Sequence, residues 1–287
     1  GFVGRLAAKL ARVPIIIHTY HGYSIIYSGG IKARIFLGID RFMNSISDRV
    51  IAISDPMYND LVENLHIAKS NKTVVINLGL ELERFAESNK LKGQFRQQIE
   101  IPNTTYLVGI VGRLVPVKNH KLFLSAAREV IKQIPDVLFL IIGDGELREE
   151  LQRFSEEIGI TKWVKFMGWQ KDLPSIYSDL DCVVLTSDSE GTPVALIEAL
   201  ASKCPVVTTN VGGVSEVVED QVSGYVVEPN NSEALANAIK NALQKPDKSR
   251  SMAENGHQKV LSKFASKRLI SDIKSLYVQM LKDKNLL

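Results

Sequence analysis

The later part of the chain alternates short apolar runs with helical segments, and this alternation restricts the possible folds more than any other feature. Strands are predicted around six positions: Leu107, Val137, Val164, Cys182, Val206 and Gly224. Apolar runs of this length, separated by helices, are typical of parallel strands that are covered by helices on both faces. The sequence therefore predicts an α/β fold built on a doubly wound parallel sheet.

The same alternation occurs earlier in the chain on a smaller scale. The predicted elements there are a helix that ends near Arg12, strands over 13–19, 49–53 and 73–76, and helices over 33–46 and 57–64. We therefore predict an N-terminal domain over 1–83, a second domain over 84–265 and a closing helix over 266–287. The polar segment from Ser88 to Gly93 is expected to connect the two domains.

Composition excludes several classes of protein. With 287 residues, 45% of them hydrophobic, the chain is long enough for two globular domains. A net charge of +3 is too small to indicate nucleic-acid binding. Cys182 and Cys204 lack a short disulfide spacing, so we expect both to be reduced, as in a cytoplasm. No apolar run reaches the length that crosses a bilayer.

Two glutamates, Glu190 and Glu198, flank the predicted start of a helix. Thr192 is predicted as the N-cap and Pro193 as the first helical residue, so Glu190 precedes the helix. At ~1.5 Å per residue, the two carboxylates are separated by roughly 12 Å along the axis and by about 80° around it. They are too distant to share a proton and suit the two ends of one polar ligand. The alternative is a capping loop followed by one solvated glutamate.

The residues between these glutamates offer donors for an anion. The N–H groups of Val194 and Ala195 are predicted to be free in the first helical turn. Helix N-termini of this kind bind phosphate readily.

Two further segments contain features that suit phosphate. The glycine turn at Gly112 follows an apolar strand and leads to Arg113 and Lys118. Cations at the carboxyl end of a parallel strand can hold a diphosphate, although a solvated basic loop has the same pattern. Gly212 and Gly213 follow another strand and permit close approach of backbone N–H groups, but glycine pairs before helices are common.

Together these segments resemble glycosyltransferase family 4, the retaining enzymes of the GT-B fold. The resemblance rests on G-R-L-x-x-x-K from Gly112 to Lys118, G-D-G from Gly143 to Gly145, F-x-G from Phe166 to Gly168, E-x7-E from Glu190 to Glu198, and G-G-x-x-E from Gly212 to Glu216. It extends over nearly the whole chain and implies two Rossmann-like domains facing a cleft. Compared with the family, the front part of the N-terminal domain is expected to be absent.

The resemblance also implies roles for individual residues. Arg113 and Lys118 would bind the diphosphate of a nucleotide sugar, Glu198 the ribose, and Glu190 the transferred sugar. The remaining donor-binding residues would be Gly112, Gly143, Gly145, Met167, Gly168, Gly191, Thr192, Pro193, Val194, Ala195, Gly212 and Gly213. Neither a metal nor another cofactor is expected, because the cations would neutralise the leaving group.

His21 is the remaining catalytic candidate, beside Glu190, Arg113 and Lys118. It follows a predicted buried strand and precedes Gly22, where the family has a histidine that contacts the transferred sugar. His18 lies within that strand and is expected to be structural. A structural histidine is the alternative for His21 as well.

The activity implied is a hexosyl- or N-acetylhexosaminyltransferase that uses a nucleotide sugar, with UDP as the expected nucleotide. Its acceptor would be a glycan or lipid-linked sugar in bacterial surface polysaccharide or lipopolysaccharide synthesis. The enzyme would be cytoplasmic, with possible contact to the inner face of the plasma membrane through a first helix that is basic at Arg5, Lys9 and Arg12. An ordinary surface helix, with the apolar stripe of Phe2, Leu6 and Leu10 in the core, is the alternative.

Two other functions remain open. The chain could bind a nucleotide sugar without turnover, or it could be a sugar-nucleotide epimerase of the same architecture. A dehydrogenase is disfavoured because no G-x-G-x-x-G follows a strand.

Overall fold

The structure is a computed structural model that describes residues 1–21 and 30–287. The chain forms two compact units: Gly1–Leu80 together with Phe264–Leu287, and Glu81–Lys263. Both units are built on parallel sheets, so the predicted α/β class is confirmed. None of the helices in the described ranges is long and apolar enough to cross a membrane.

The first unit contains a three-stranded parallel sheet in the order β1-β2-β3. Its strands are β1 Ile17–Tyr20, β2 Arg49–Ala52 and β3 Thr73–Val75. Its helices are α1 Phe2–Leu10, α2 Gly30–Ile46, α3 Asp55–Asn59, which continues as a π-helical turn over Asp60–Asn64, and the closing helix α13 Ser266–Asp283. The strand predicted over 13–19 begins later, because Pro14 has no N–H and Ile16 donates its N–H to Asp48 at 2.8 Å instead.

The predicted faces of α1 are wrong. Arg5 is only 5% exposed, and its guanidinium donates to Asn44 at 2.7 Å and to Asp40 at 3.0 Å. Phe2 and Leu10 are 46% and 76% exposed instead. A buried arginine needs a charged partner, and α2 provides it. The proposed basic membrane-facing surface therefore lacks Arg5.

The second unit contains a six-stranded parallel sheet in the order β6-β5-β4-β7-β8-β9. The strands are β4 Tyr106–Val111, β5 Val137–Ile142, β6 Val164–Gly168, β7 Cys182–Leu185, β8 Val206–Thr209 and β9 Tyr225–Val227. The helices are α4 Glu83–Ala86, α5 Gln94–Gln98, α6 His120–Ile131, α7 Arg148–Glu157, α8 Leu173–Asp179, α9 Val194–Ala201, α10 Val214–Val217, α11 Ser232–Gln244 and α12 Pro246–Phe264. All six predicted strands are present.

Helices cover both faces of this sheet. Phe123 of α6 and Leu235 of α11 belong to one apolar cluster with Val108 and Val184 of the strands. Successive strand residues point to opposite faces, so Val183 points to the other face, where α9 packs against β7 and β8. The unit is therefore doubly wound, as predicted.

The strand order creates a switch point between β4 and β7. The chain proceeds from β4 to β5 and β6 on one side, and from β7 to β8 and β9 on the other. Loops that leave two adjacent strands in opposite directions open a crevice at their carboxyl ends, where open α/β sheets bind ligands.

The segment predicted to connect the domains is folded into the second unit. Asp179 is completely buried and accepts hydrogen bonds from the N–H groups of Gly93 at 2.6 Å and Arg96 at 2.9 Å. The Arg96 guanidinium pairs with Asp181 at 2.7 Å. Residues near Gly93 are therefore held by Asp179, the last residue of α8, and by Asp181 just beyond it.

Candidate functional site

Three glycine-containing loops meet at the carboxyl ends of β4, β5 and β6. The N–H of Gly112 donates to the Ile142 carbonyl at 3.0 Å, and the N–H of Gly143 donates to the Gly168 carbonyl at 2.9 Å. These bonds bring the G-R-L-x-x-x-K, G-D-G and F-x-G segments together in one wall of the crevice.

Close backbone packing explains two of these glycines. Gly143 has a φ of +135°, and a Cβ on it would lie 1.9 Å from the carbonyl oxygen of Gly112. A Cβ on Gly145 would lie 2.5 Å from the carbonyl oxygen of Leu114. Neither position accepts a side chain unless the G-R-L loop moves.

Lys118 and Glu190 meet across the switch point. The Lys118 Nζ lies 2.6 Å from Oε1 of Glu190, whose side chain is only 8% exposed. The Arg113 side chain, on the same loop as Lys118, is exposed, and it makes no hydrogen bond or ion pair within the described ranges. A paired cation and an exposed cation therefore lie on the same loop of the crevice, beside a nearly buried carboxylate.

Hydrogen bonds fasten the loop after β4 to the loop after β7. The hydroxyl of Thr186 donates to the Lys118 carbonyl at 2.8 Å, and the N–H of Asp188 donates to the Val117 carbonyl at 2.9 Å. Asn119 has a φ of +47°, caps α6 and donates its side-chain amide to Asp188 at 2.9 Å. The Lys118–Glu190 pair therefore lies between two loops that are joined along their length.

Gly212 and Gly213 contact the Glu190 loop directly. A Cβ on Gly212 would lie 2.0 Å from the Glu190 carbonyl oxygen, and one on Gly213 would lie 1.8 Å from the Gly191 carbonyl oxygen. The N–H of Gly213 donates to the Glu190 carbonyl at 2.9 Å. This N–H is therefore engaged by protein, whereas the sequence suggested that it faces phosphate.

The start of α9 differs from the prediction in one detail. Pro193 is the N-cap and Val194 the first helical residue, because Pro193 has a ψ of 81° outside the helical region. The N–H of Val194 donates to the Thr192 carbonyl at 2.9 Å, so it is not free as predicted. The Ala195 N–H lies in the first turn, which has no intrahelical acceptor.

Glu198 receives a hydrogen bond from Tyr177 of α8, whose hydroxyl lies 3.1 Å from Oε2. Burial raises the pKa of Glu198, and the Tyr177 hydrogen bond opposes that shift. Burial also raises the pKa of the Tyr177 hydroxyl well above its usual value, with the Glu198 charge as the next cause. Tyr177 is therefore a permanent donor to this carboxylate.

Sequence comparison assigns the chain to a family. The family described as Glycosyl transferases group 1 matches residues 92–259, more than half of the chain, and the family Glycosyltransferase Family 4 matches residues 1–84. This protein is a group 1 glycosyltransferase. The matched residues of the first family contain all the loops of the crevice, from Gly112 to Gly213.

Relatives of this glycosyltransferase include two bacterial proteins. A UDP-Gal:alpha-D-GlcNAc-diphosphoundecaprenol alpha-1,3-galactosyltransferase of Escherichia coli is 30% identical over 290 residues, which cover 99% of this chain and 74% of the relative. The capsular polysaccharide biosynthesis glycosyltransferase CapM of Staphylococcus aureus is 26% identical, over 99% of this chain and 75% of the relative.

Solved structures share its GT-B fold. Anabaena HepE in complex with UDP has a TM-score of 0.88 and 24% identity, over 97% of this chain and 76% of HepE. The C-terminal domain of the group 1 protein LpcC from Francisella tularensis has a TM-score of 0.58 and 31% identity, over 65% of this chain and 99% of that domain.

His21, the remaining catalytic candidate of this glycosyltransferase, belongs to the first unit. It is exposed directly after β1, and Gly22, which follows it, is outside the described residues. His18 is half-buried in β1 and packs edge-on against Tyr20 with 4.6 Å between ring centroids. Burial and then the Arg5 charge lower the pKa of His18 to about 4. His18 thus has the structural position expected of it.

Metal ligands are not grouped in the described part of this glycosyltransferase, where no three His, Cys, Asp or Glu side chains are placed to share an ion. Independence from metal therefore stays a prediction, as do the roles assigned to the crevice residues.

Sequence reasoning missed three residues around the crevice of the glycosyltransferase. Tyr177 contacts Glu198 from another helix, and the hydroxyl of Ser187 donates to Oε1 of Glu190 at 2.6 Å. His120 is 1% exposed with neither ring nitrogen hydrogen-bonded in the described ranges, and burial lowers its pKa to about 4, so it is a neutral imidazole. Only Ser187 carried a local signal, because Ser187 and Glu190 have the S-x-x-E spacing of a capping box, although here the two side chains bond to each other.

Proposed function

We propose that this group 1 glycosyltransferase moves a hexosyl or N-acetylhexosaminyl group from a UDP-linked donor to a glycan or lipid-linked acceptor, with retention of the anomeric configuration. The observation that carries the proposal is the placement of Arg113, Lys118 and Glu190 at the switch point of a doubly wound sheet. This is the position in which such sheets bind nucleotides.

The electrostatics of the crevice suit a departing nucleoside diphosphate. When the bond between the anomeric carbon and the diphosphate oxygen breaks, the electron pair stays on the diphosphate and its negative charge grows. Arg113, Lys118 and the Ala195 N–H are donors suited to that charge, and fixed donors stabilise the transition state without reorganisation. The acceptor hydroxyl oxygen forms the new bond to the same carbon, and its proton passes to the departing diphosphate.

These cations make a divalent metal unnecessary in this proposal. A magnesium ion in other transferases neutralises the diphosphate, and two cations of this chain serve the same purpose here. We therefore propose that the nucleotide sugar is a substrate and that no cofactor takes part.

Uridine as the base and the acceptor class are supported by the relatives. The Escherichia coli relative is named for UDP-Gal and a diphosphoundecaprenol-linked acceptor, and HepE was solved with UDP and with UDP-glucose. CapM is named for capsular polysaccharide. We propose a role in bacterial surface polysaccharide or lipopolysaccharide synthesis, at the inner face of the plasma membrane, where a lipid-linked acceptor meets cytoplasmic nucleotide sugars.

The decisive experiment incubates the protein with UDP-galactose, UDP-glucose or UDP-N-acetylglucosamine and a lipid-diphosphate-linked N-acetylglucosamine. We expect UDP release that depends on the acceptor and a product whose linkage, read by NMR, keeps the donor configuration. Donor binding without any product would favour a binding module. Release of free epimerised sugar would identify an epimerase, and an inverted linkage would contradict retention.

A further inference from the structure

The carboxylate of Glu190 receives two hydrogen bonds on one oxygen. The hydroxyl of Ser187 and the ammonium of Lys118 each lie 2.6 Å from Oε1. Oε2 accepts a hydrogen bond from none of the side chains in the described ranges. This one-sided arrangement leaves Oε2 for a hydrogen-bond donor of a ligand.

Ser187 is fixed more firmly than Lys118. Ser187 is completely buried, two residues beyond the end of β7. Its carbonyl accepts a hydrogen bond from the hydroxyl of Thr209, the last residue of β8, at 2.8 Å. Lys118 has a long flexible side chain that is 24% exposed. Ser187 is thus held at the carboxyl ends of β7 and β8, whereas the Lys118 ammonium can turn toward a ligand.

The backbone of Glu190 is fixed separately. Gly213 donates to its carbonyl at 2.9 Å, and Gly212 packs so closely that a Cβ would lie 2.0 Å from that oxygen. With the backbone held at this carbonyl, Ser187 and Lys118 are the side chains whose hydrogen bonds orient the carboxylate.

Donor binding changes the balance between those two donors. A diphosphate carries more charge than one carboxylate and attracts the Lys118 ammonium away from Glu190. We propose that Ser187 is a positioning residue that then holds Oε1 of Glu190, so that Oε2 stays directed at a hydroxyl of the transferred sugar. This inference rests on the proposed function, in which Lys118 binds the diphosphate and Glu190 the sugar.

The first test is Ser187→Ala, with calorimetry of UDP and of the UDP-sugar that the enzyme uses. We expect unchanged UDP affinity, because the serine acts on the sugar end. UDP-sugar should bind more tightly than UDP by a smaller factor in the variant than in the parent. The kcat should fall by roughly 10- to 100-fold, the factor expected for the loss of a hydrogen bond to a charged group. Equal losses for UDP and UDP-sugar would indicate a general structural role and overturn the proposal.

A matched control is Ser249→Ala. Ser249 is also buried in the second unit, and its hydroxyl donates to the Ala242 carbonyl at 2.9 Å, away from the crevice. We expect this variant to lose similar stability while it keeps both the donor affinity and the kcat of the parent.

The second test combines Ser187→Ala with Glu190→Ala. If the serine acts through the glutamate, Ser187→Ala should change kcat by less than about twofold in the Glu190→Ala background. A change of that size is within the scatter with which the effects of independent mutations add. Equal losses in both backgrounds would overturn the proposal. A parent that binds neither UDP nor UDP-sugar would instead overturn the proposed function, and with it the role of Ser187.

Discussion

The hydroxyl of Tyr177 donates to Oε2 of Glu198 at 3.1 Å, and so joins α8 to α9. The carboxylate is partly buried, which raises its pKa, and the tyrosine is the group that opposes this shift. The ionisation of Glu198, the residue assigned to the ribose, is therefore adjusted by a side chain 21 positions earlier in the sequence.

Tyr177→Phe should make UDP binding more sensitive to acid. Because the pKa of Glu198 is raised, its charge is lost as the pH falls through that raised value, and UDP affinity should fall with it. Without the tyrosine the pKa rises further, so the variant should lose affinity at a higher pH than the parent. Calorimetry between neutral and mildly acidic pH measures both curves. The control is Tyr225→Phe, because the hydroxyl of Tyr225 is buried without a partner among the described residues. If the affinity of Tyr177→Phe and that of the parent change with pH in the same way, the prediction is contradicted.

Lys118→Ala should weaken UDP binding by about 2 kcal/mol, the cost of losing a charge-assisted hydrogen bond. It also leaves Glu190, a nearly buried carboxylate, without its cation. Lys121→Ala is the matched control, because Lys121 is half-exposed on α6 and pairs with Glu150. The measurement is calorimetry with UDP, and equal affinity in the two variants would remove Lys118 from the donor site.

A chelator should not change UDP affinity. Arg113 has no protein partner within the described ranges, and Lys118 needs only to exchange Glu190 for phosphate, so both cations are available to the diphosphate. Calorimetry with and without EDTA tests this expectation. Binding that disappears on chelation and returns with magnesium would refute metal-free binding.

His21→Ala should lower kcat far more than it lowers donor affinity. The assigned donor contacts, from Gly112 to Gly213, all belong to the second unit, whereas His21 belongs to the first. A group that contributes only in the transition state changes kcat and kcat/KM together. His66→Ala, an exposed histidine of the same unit, is the control. Normal turnover in the His21 variant would assign that residue a structural role.

Gly143→Ala should destabilise the second unit by about 3 kcal/mol, since the new Cβ meets the Gly112 carbonyl and the backbone φ of +135° disfavours a side chain. Gly191→Ala, where nothing lies within 4 Å of the new Cβ, should change stability little. Urea unfolding of the two variants measures the difference. Equal midpoints would show that the G-R-L loop can move away.

The strands of the second unit could be predicted because each one is indicated by the residue types of its own short segment. Runs such as Val137–Ile142 are apolar at every position, and their β-branched residues favour a buried parallel strand without reference to distant contacts. The faces of α1 could not be predicted in this way. A helical pattern does not reveal that Arg5 finds Asp40 on another helix, and that pairing decides which side is buried.

The candidate site was predictable in part for the same reason. Lys118 and Glu190 each follow a parallel strand, and carboxyl ends of neighbouring strands lie together, so their proximity follows from the sheet order. Tyr177 reaches Glu198 through the packing of α8 on α9, which no spacing in the sequence indicates. The close packing of Gly212 on the Glu190 carbonyl is likewise visible only in three dimensions.

The buried carboxylate of Asp179 has a practical consequence for anyone who builds chimaeras of these enzymes. It binds the N–H groups of Gly93 and Arg96, so the residues before β4 are part of the second unit rather than a spacer. An exchange that cuts the chain just before Tyr106 would strand a charged side chain in the protein interior. A transplanted module should therefore begin at Glu81, where the contacts of the second unit begin, and include its own aspartate-bound segment.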